Sequence, residues 1–387
     1  MKQVFIQAFI LSLLVSFTFN AFGEEKKWKF KVNPVTNNGK KWKIGYYEGG
    51  PYIAYQKHLK NILNNLIQLG WMDKIELPNP EDKSDTTALW TFLSQNVRSE
   101  YIEFVSDAYW TSGWDSNKRM LSKKEALKRL KANEIELMLA MGTWAGQDLI
   151  NDLHSVSTMG ISISNPIDAK IITSPDDSGF DHAHIRCDPD RDLRMIRLFY
   201  NIFQFKKLGV VYEDSLEGRS YAAIDALEKV AHERNFELIS TKVLAHDVDE
   251  NTGLQLIIEA HKKLAPQIDA FLITTHRSVI PKNMSKLMAP FLKYKIPTFA
   301  QYGTVLVKYG ALISINQTSA FDAVGRYNAK VIASIFNGAK PREIDQIFAS
   351  PKKLAVNMEV ARIIGFDIPP GLKSIVDEKH TEIKVIQ

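Results

Sequence analysis

Residues that could bind or transform a small molecule follow the predicted strands of this sequence. They include carboxylates, an arginine, hydroxyls, amides and aromatic rings. In open parallel sheets, ligands bind beyond the carboxyl ends of the strands, so residues at these positions converge on one edge of a sheet. The candidate ligand-binding residues are Tyr46, Glu48, Thr143, Trp144, Ser164, Asn165, Glu213, Asp214, Ser215, Thr275, His276, Arg277, Tyr302 and Gln317.

The charged members of this set suggest which ligand groups would be recognised. Glu48, Glu213 or Asp214 could pair with an amine, and Arg277 could hold a carboxylate through two hydrogen bonds. Each is also able to form a surface ion pair, because loops are rich in polar residues in any case. With the hydroxyls and aromatic rings, the set favours non-covalent binding of a small polar or amphipathic molecule.

A second aromatic group follows the predicted second strand. Tyr109, Trp110 and Trp114 could close over a ligand or contact a partner. The neighbouring Ser112 and Gly113 are equally typical of a mobile loop. The sequence leaves both interpretations open.

Motifs that mark common enzyme classes are absent from the sequence. It has no G-x-S-x-G, no G-x-x-x-x-G-K-[ST], and no G-x-G-x-x-G after a predicted strand. The most metal-like cluster is His182 and His184, with Asp181 and Cys187 nearby. The adjacent residues 176–179 (DDSG) are typical of a polar loop. We therefore predict no catalytic residue, no metal ligand and no cofactor.

The first residues have the layout of a signal peptide. Lys2 precedes an apolar run from Val4 to Phe19, and Ala21-Phe22-Gly23 leads into a charged segment. A membrane anchor is the alternative, but this run is shorter than the ~20 residues that span a bilayer. We predict cleavage after Gly23 and no lipid attachment, because no cysteine lies near the cut. The expected location is the periplasm, with the protein soluble after cleavage.

Composition narrows the class of protein further. The 49 basic and 44 acidic residues give a net charge of +5 and are spread along the chain, which does not indicate a nucleic-acid-binding surface. Cys187 is the only cysteine, so no internal disulfide can form. About 364 residues would remain after cleavage, more than one core usually supports, which predicts two domains.

Short apolar strands alternate with helices along the chain, which predicts an α/β fold with parallel sheets covered on both faces. The β-α pattern restarts after residue 190, which indicates two lobes rather than one large sheet. The predicted strands of the first half are 42–46, 101–107, 136–140 and 156–163. Those of the second half are 207–212, 236–243, 269–274, 297–301 and 311–315. The predicted helices include 123–133, 191–203 and 219–235.

The second half of the chain resembles the substrate-binding proteins of ABC transporters with the type I periplasmic-binding fold, in the branch often linked to tryptophan or tyrosine uptake. The resemblance covers about residues 190–375. In the first half, Gly142-Thr143-Trp144-Ala145 is similar to the family's Gly-Thr-Pro-Ala turn, with Trp in place of Pro. The stretches that carry the resemblance are 207–212 (KLGVVY), 295–299 (KIPTF), 310–314 (GALIS), 324–326 (VGR), 336–341 (FNGAKP), 350–357 (SPKKLAVN), 364–366 (IGF) and 368–370 (IPP).

The resemblance implies two Rossmann-like lobes that are joined by a hinge and close around a ligand. The implied division is a signal peptide at 1–23, a flexible leader at 24–41, a first lobe of 42–165 plus 320–338, and a second lobe of 166–319 plus 339–387. It also implies a small-molecule ligand, which could be an amino acid or an aromatic compound, and an ABC permease in the inner membrane as partner. We expect a monomer that binds no nucleic acid.

Two other functions are compatible with the sequence. The same pair of lobes could act as a periplasmic sensor that signals through a membrane receptor, since both roles need a ligand clamp. The chain could also be an exported enzyme that uses His182, His184 and Asp188 as a metal or acid–base site. No nucleophile motif accompanies those residues, so a non-enzymatic binding protein is the prediction.

Overall fold

The computed structural model describes residues 28–79, 84–301, 303–316 and 320–386. The predicted signal peptide and the candidate residues Tyr302 and Gln317 lie outside the described residues. The described chain forms two α/β lobes, one built on a five-stranded sheet and the other on a seven-stranded sheet.

The first lobe contains a sheet in which every neighbouring pair of strands is parallel. Its strands are β1 (Trp42–Glu48), β2 (Ile102–Thr111), β3 (Leu137–Met141), β4 (Ser157–Ile161) and β5 (Ala183–Ile185), in the order β2-β1-β3-β4-β5. The intervening helices are α1 (Ile53–Gln68), α2 (Thr87–Asn96), α3 (Ser116–Lys131) and α4 (Thr143–Leu149). All of β3 (LMLAM) is buried, as expected for a central strand with both faces covered.

The second lobe begins with α5 (Arg191–Phe203) and continues as a second series of strands and helices. These are β6 (Lys207–Tyr212), α6 (Leu216–Tyr221), α7 (Ile224–Arg234), β7 (Glu237–Lys242), α8 (Glu250–Leu264), β8 (Ala270–Ile273), α9 (Met284–Lys293), β9 (Thr298–Ala300) and β10 (Ile313–Asn316). Short 3-10 helices occupy Ala265–Gln267, Pro281–Asn283 and Thr304–Tyr309. The single helix predicted over residues 219–235 is broken at Ala223, whose φ is +54°.

The chain then returns to the first lobe and finally to the second. Helix α10 (Ala320–Phe336) packs on α1. A 3-10 helix (Pro341–Glu343) precedes β11 (Lys352–Asn357), α11 (Met358–Ile364), α12 (Pro370–Ser374) and β12 (Glu378–His380). The second sheet has the order β12-β11-β10-β9-β8-β6-β7. Its β10/β11 pair is antiparallel and its other neighbouring pairs are parallel, so the prediction of two lobes built on parallel sheets is confirmed apart from this pair.

The lobe boundaries differ from those predicted. Strand β5 pairs with β4, so residues 166–185 belong to the first lobe and not to the second. Residues 344–348 also contact the first lobe, where Ile344 is buried in the core and Phe348 packs against it. The second lobe therefore starts after the connection that begins at Arg186.

Residues 28–41 are not the flexible leader that the sequence predicts. Trp28 and Val35 pack against the core of the first lobe. The Trp28 indole N–H donates to Ser334 Oγ at 3.0 Å, and the Trp71 indole N–H donates to Val32 O at 3.0 Å. Burying a tryptophan ring removes a large apolar area from water, which holds this segment on the lobe.

Two connections between the lobes run side by side as a hinge. Cys187 N–H donates to Gln346 O at 2.7 Å, and Phe348 N–H donates to Cys187 O at 3.0 Å. A third connection links β10 to α10. Three chain segments therefore connect the lobes, and a hinge of connecting segments is the arrangement in which two lobes close around a ligand.

Candidate functional site

A cleft lies between the lobes at the carboxyl ends of their strands, where ligands bind in open parallel sheets. It encloses about 590 Å³, its open mouth included. The first lobe contributes Tyr52, Tyr55, Trp114, Thr143, Ser162 and Ser164. The second lobe contributes Tyr212, Glu213, Gly218, Tyr221, Ala245, His246, Thr275, His276 and Arg277.

Aromatic rings from both lobes meet at one side of this cleft. The ring centroids of Trp114 and His246 are 5.5 Å apart, and those of Trp144 and His246 are 4.7 Å apart. Trp114 and Trp144, both from the first lobe, pack edge to face with centroids 5.6 Å apart. His246 of the second lobe therefore packs against two tryptophans of the first.

Two glycines allow Trp114 to reach this position. A Cβ atom on Gly50 would lie 2.7 Å from the Trp114 ring and backbone nitrogen, and one on Gly49 would lie 2.9 Å from the ring. Trp114 itself has a φ of +63° and follows Gly113 at +58°. The Trp114 indole N–H donates to Pro51 O at 3.0 Å, which fixes the ring over the turn after β1.

Glu213 and His246 form a hydrogen-bonded pair at the cleft. Glu213 Oε2 bonds His246 Nδ1, while Oε1 accepts from the N–H groups of Ala245 at 2.8 Å and His246 at 3.0 Å. Burial disfavours the charged carboxylate, but these hydrogen bonds and the imidazole outweigh it and hold the pKa of Glu213 at about 2. Glu213 is thus engaged within its own lobe.

Arg277 and His276 lie beside this pair. The Arg277 guanidinium donates to Val248 O and lies near the carboxylates of Glu250, Asp249 and Glu213. Burial lowers the pKa of His276 to about 4, and the Arg277 charge adds to this effect. At neutral pH His276 is therefore uncharged.

Arg119 on α3 links the two lobes next to Trp144. Its Nε–H donates to Asp148 Oδ2 at 2.9 Å, and Nη1 pairs with Glu217 of the second lobe at 3.3 Å. Its guanidinium also lies 4.5 Å from the centre of the Trp144 ring. Such a cation–π contact adds roughly 0.5–2 kcal/mol, depending on desolvation.

Several residues predicted from strand ends do line the cleft. They are Thr143, Ser164, Glu213, Thr275, His276 and Arg277. Trp144 does not line it directly but packs on the two rings that form its side. The Trp144 indole N–H is buried without a hydrogen-bond partner among the described residues. Ligand binding by any of these residues stays a prediction.

Other predicted residues do not line the cleft and have structural partners. Ser215 caps α6 by accepting from Gly218 N–H at 3.0 Å, and the exposed Asp214 pairs with Lys242 at 2.6 Å. The Asn165 amide bonds Asp168 Oδ2 at 2.7 Å. These side chains follow strands as expected, but turn formation and ion pairing already use their polar groups.

Tyr46 and Glu48 are buried inside the first lobe, so the prediction that they reach a ligand is not supported by their positions. They lie on one face of β1, and Glu48 accepts from the hydroxyls of Tyr46 and Thr86 at 2.7 Å each and of Thr111 at 3.0 Å. Burial raises the pKa of Glu48 to about 7 despite these hydrogen bonds. The side chains of alternate strand residues point to one face, which here is covered by the lobe's core.

The sequence did not single out several residues that form the cleft. Tyr52 and Tyr55 begin α1 just after the Gly49-Gly50-Pro51 turn, and Tyr221 and His246 lie beyond the predicted strand ends. The turn itself is the signal that could have located Tyr52 and Tyr55. Trp114, considered as a residue that could close over a ligand, does line the cleft.

The histidines of the proposed metal or acid–base site do not converge. His184 is buried and bonds the Tyr327 hydroxyl at 2.9 Å, whereas His182 packs on His154. Among the described residues, no group of three His, Cys, Asp or Glu side chains is placed to hold a metal ion. In the same part of the chain, no helix is long and apolar enough to cross a bilayer.

The fold and the cleft define a two-lobe binding protein, and the comparisons with known proteins agree. The family model of the ABC transporter substrate binding proteins matches residues 109–378, more than half of the chain. The chain belongs to this family. Its members bind substrates for transport, which implies a small-molecule ligand and a permease partner. A comparison with curated protein sequences gives no significant match.

Solved structures share the fold at low sequence identity. A conserved domain protein from Vibrio cholerae is 17% identical with a TM-score of 0.65, covering 88% of this chain and 100% of that one. A Streptococcus pneumonia ABC domain in complex with L-Trp is 17% identical with a TM-score of 0.64, covering 87% and 99%. A ligand-free, open substrate-binding protein with adhesive properties from Clostridium difficile is 17% identical with a TM-score of 0.55, covering 88% and 100%.

Proposed function

We propose that this protein binds a small molecule with an aromatic or planar group in the cleft and delivers it to an ABC permease. The observation that carries the proposal is the set of aromatic side chains that both lobes contribute to one cleft. Tyr52, Tyr55 and Trp114 come from the first lobe, and Tyr212 and Tyr221 from the second. A ligand between them would contact both lobes at once.

Such contacts would favour the closed arrangement of the lobes. Each aromatic pair adds roughly 0.5–1.5 kcal/mol beyond the effect of burial. A ligand shifts the equilibrium between open and closed states only by its difference in affinity for the two. A planar molecule that stacks on rings of both lobes has this difference, because half of its contacts are absent in the open state.

Polar groups in the cleft would set the orientation of the ligand. Thr143, Ser162, Ser164 and Thr275 place hydroxyl groups along it. A few polar groups in a mostly apolar pocket are the usual source of specificity for small ligands. An amino acid or a compound of similar size, with a planar side group, fits this combination.

Export and delivery complete the proposal. The signal-peptide layout of residues 1–23 supports a periplasmic location, and membership in the family supports a permease partner. The protein would act as a monomer, because one chain supplies both walls of the cleft.

The proposal is tested by a thermal-shift screen of residues 24–387 against amino acids, nucleosides, sugars and small aromatic acids. A ligand at ~100 times its dissociation constant stabilises the folded state by ~2.7 kcal/mol, which raises the melting temperature measurably. We expect hits among aromatic compounds, recovered unchanged when the mixture is analysed by mass spectrometry. Tight binding restricted to sugars or other non-planar solutes would contradict the proposal, and conversion of a hit would favour an enzyme.

A further inference from the structure

The cleft continues toward the hinge into a second cavity, here called the hinge chamber. Tyr52, Ser162, Ser164 and Thr275 line both spaces, so the two are contiguous. The hinge chamber encloses about 930 Å³, its open mouth included. Its charged lining residues are Arg186, Arg191, Lys352 and Asp188, and none of these lines the aromatic part.

These residues bring an excess of positive charge into the chamber. Asp188, the one carboxylate among its described lining residues, pairs with Arg194 outside the lining. Arg191 pairs with Asp192 at 3.0 Å. Arg186 and Lys352 form no ion pair with a carboxylate of the described chain, and Arg186 Nη1 donates only to neutral oxygens, Phe348 O at 2.9 Å and Ser350 Oγ at 3.3 Å.

Arg186 and Lys352 are partly buried, and burial makes their charged forms less favourable. Burial lowers the pKa of Arg186, and the nearby Arg191 charge lowers it further. Burial also lowers the pKa of Lys352, with Arg194 as the next cause. His58, which faces the same chamber, has its pKa lowered to about 3 by burial and then by Arg186. An anion in this chamber would compensate the charges of Arg186 and Lys352, which the single Asp188 carboxylate near both offsets only in part.

The cations also come from separate connections between the lobes. Arg186 begins the connection from β5 to α5, and Lys352 ends the connection that leads into β11. Arg191, at the first position of α5, belongs to the second lobe and donates to Ser164 O of the first lobe at 2.8 Å. An anion held by all three would tie the two connections together at the hinge.

We propose that the hinge chamber binds the anionic group of the ligand, a carboxylate, phosphate or sulfonate, while the planar part occupies the aromatic cleft. This inference rests on the proposed function, because it assigns a second part of the same ligand. Arg277, the carboxylate clamp expected from the sequence, is less suited to this role. Its guanidinium is bonded to Val248 O and surrounded by Glu250, Asp249 and Asp247.

Matched pairs of aromatic compounds separate this inference from the proposed function. The pairs are phenyl phosphate with phenol, and indole-3-propionate with indole-3-propionamide, each measured by calorimetry. We expect the anionic member to bind about 10- to 100-fold more tightly, because charge-assisted hydrogen bonds are lost in the neutral one. Equal affinities within a pair would overturn the hinge-chamber assignment while leaving the aromatic cleft supported.

Two variants locate the anion. Lys352→Gln and Arg186→Gln should each reduce the affinity advantage of the anionic member over its neutral partner about 10-fold, whereas Arg277→Gln should leave that advantage in place. Loss of the anion's advantage in Arg277→Gln alone would place the anion at Arg277 and overturn the assignment. Lys352→Gln should also keep or raise the melting temperature of the free protein, since it removes a half-buried cation that forms no ion pair with a carboxylate of the described chain.

Binding of inorganic phosphate tests whether the hinge chamber binds an anionic group of the cleft ligand or a free anion. We expect phosphate alone to bind at least about 100-fold more weakly than phenyl phosphate, because it lacks the stacked ring. Phosphate binding as tightly as phenyl phosphate would overturn the assignment to an anionic group of the cleft ligand.

Discussion

Asp247 of the second lobe accepts two hydrogen bonds from Ser116 of the first lobe, one from its backbone N–H and one from its hydroxyl, each at 2.7 Å. Asp247 N–H in turn donates to Trp114 O at 3.1 Å. These contacts join the N-terminal end of α3 to the loop after β7. They join the two lobes beside the point where Trp114 and His246 meet.

Removing the Asp247 carboxylate should weaken ligand retention. Asp247→Gly deletes both hydrogen bonds to Ser116, while glycine tolerates the left-handed backbone, whose φ is +56°. We expect ligand dissociation to speed up about 10-fold, since two partly exposed hydrogen bonds contribute on the order of 1–2 kcal/mol. Stopped-flow measurement with a ligand from the screen checks this.

Asn235→Gly is the matched control for Asp247→Gly. Asn235 has the same φ of +56° but ends α7 inside the second lobe. Its dissociation rate should equal that of the wild type. Equal rates in Asp247→Gly and wild type would show that the contact with Ser116 does not hold the lobes closed.

Gly50→Ala should weaken ligand binding without touching a ligand. The added methyl group would lie 2.7 Å from the Trp114 ring and backbone, so Trp114 must move away from the cleft. We expect affinity for an aromatic ligand to fall about 10-fold or more, as for loss of one well-packed aromatic contact. Calorimetry on the purified variant measures this, with its unfolding curve as a check on folding.

Gly253→Ala controls for the glycine-to-alanine change itself. A Cβ atom at Gly253 would meet its nearest neighbour at 3.5 Å, an ordinary contact, within α8. Binding should remain at the wild-type level, and helix stability should rise by up to about 1 kcal/mol. If Gly50→Ala binds as tightly as Gly253→Ala, the position of Trp114 does not matter for the ligand.

The buried carboxyl of Glu48 should make the folded state less stable as pH rises. Its pKa is raised from 4.5 to about 7, so between these values the folded state keeps a proton that the unfolded state releases. The free energy of unfolding therefore falls over this window, by up to about 3 kcal/mol. Urea titrations at pH 5 and pH 8 should show this fall in the wild type and a smaller one in Glu48→Gln.

Glu103→Gln provides the comparison for Glu48, because Glu103 is an exposed carboxylate on the neighbouring β2. It should reproduce the pH dependence of the wild type. A Glu48→Gln protein with that same dependence would mean that Glu48 is ionised in the folded state throughout the window.

Glu213 should give the folded state a pH dependence of stability opposite to that of Glu48. Its pKa is lowered from 4.5 to about 2, so its contribution is complete above pH 4.5 and is lost as pH falls toward 2. It amounts to about 3 kcal/mol at neutral pH, because the unfolded chain binds the proton more readily. In Glu213→Gln this contribution is absent, and acid should destabilise the variant less than the wild type.

Urea titrations of Glu213→Gln and Asp214→Asn at pH 7 and pH 3 test this prediction. Asp214 is the adjacent carboxylate but is exposed and paired with a surface lysine, so its loss should cost little. Similar losses of stability in the two variants at pH 7 would argue against a special role of the His246 pair.

Elements with strong local patterns were predicted well from the sequence. The bounds predicted for β6 (KLGVVY) and for α5 agree with the structure, because both have uninterrupted strand or helix periodicity. Helix α3 begins at Ser116, earlier than the predicted 123, because Asp115 caps it by accepting from Asn117 and Lys118 N–H at 2.9 Å each. That stretch is polar, so hydrophobic periodicity gave no signal there.

The sequence located cleft-lining residues correctly where a residue's position depends only on its following the end of a strand. Thr143 and Thr275 line the cleft for this reason, since each follows a buried strand. Tyr46 and Glu48 were misplaced because the face on which a strand residue lies depends on what packs there. His246 was missed because it lies four residues beyond β7, where the loop has no local pattern.

The sequence by itself determined the α/β class, the two-lobe plan and the approximate position of nine of the twelve strands of the described chain, because hydrophobic periodicity and turn residues are local properties. The tertiary structure alone decided which strand ends face each other across the cleft, that Asp247 reaches Ser116, and that Arg186 and Lys352 share a chamber. These pairs are far apart in the chain, and only the packing of the two lobes brings them together.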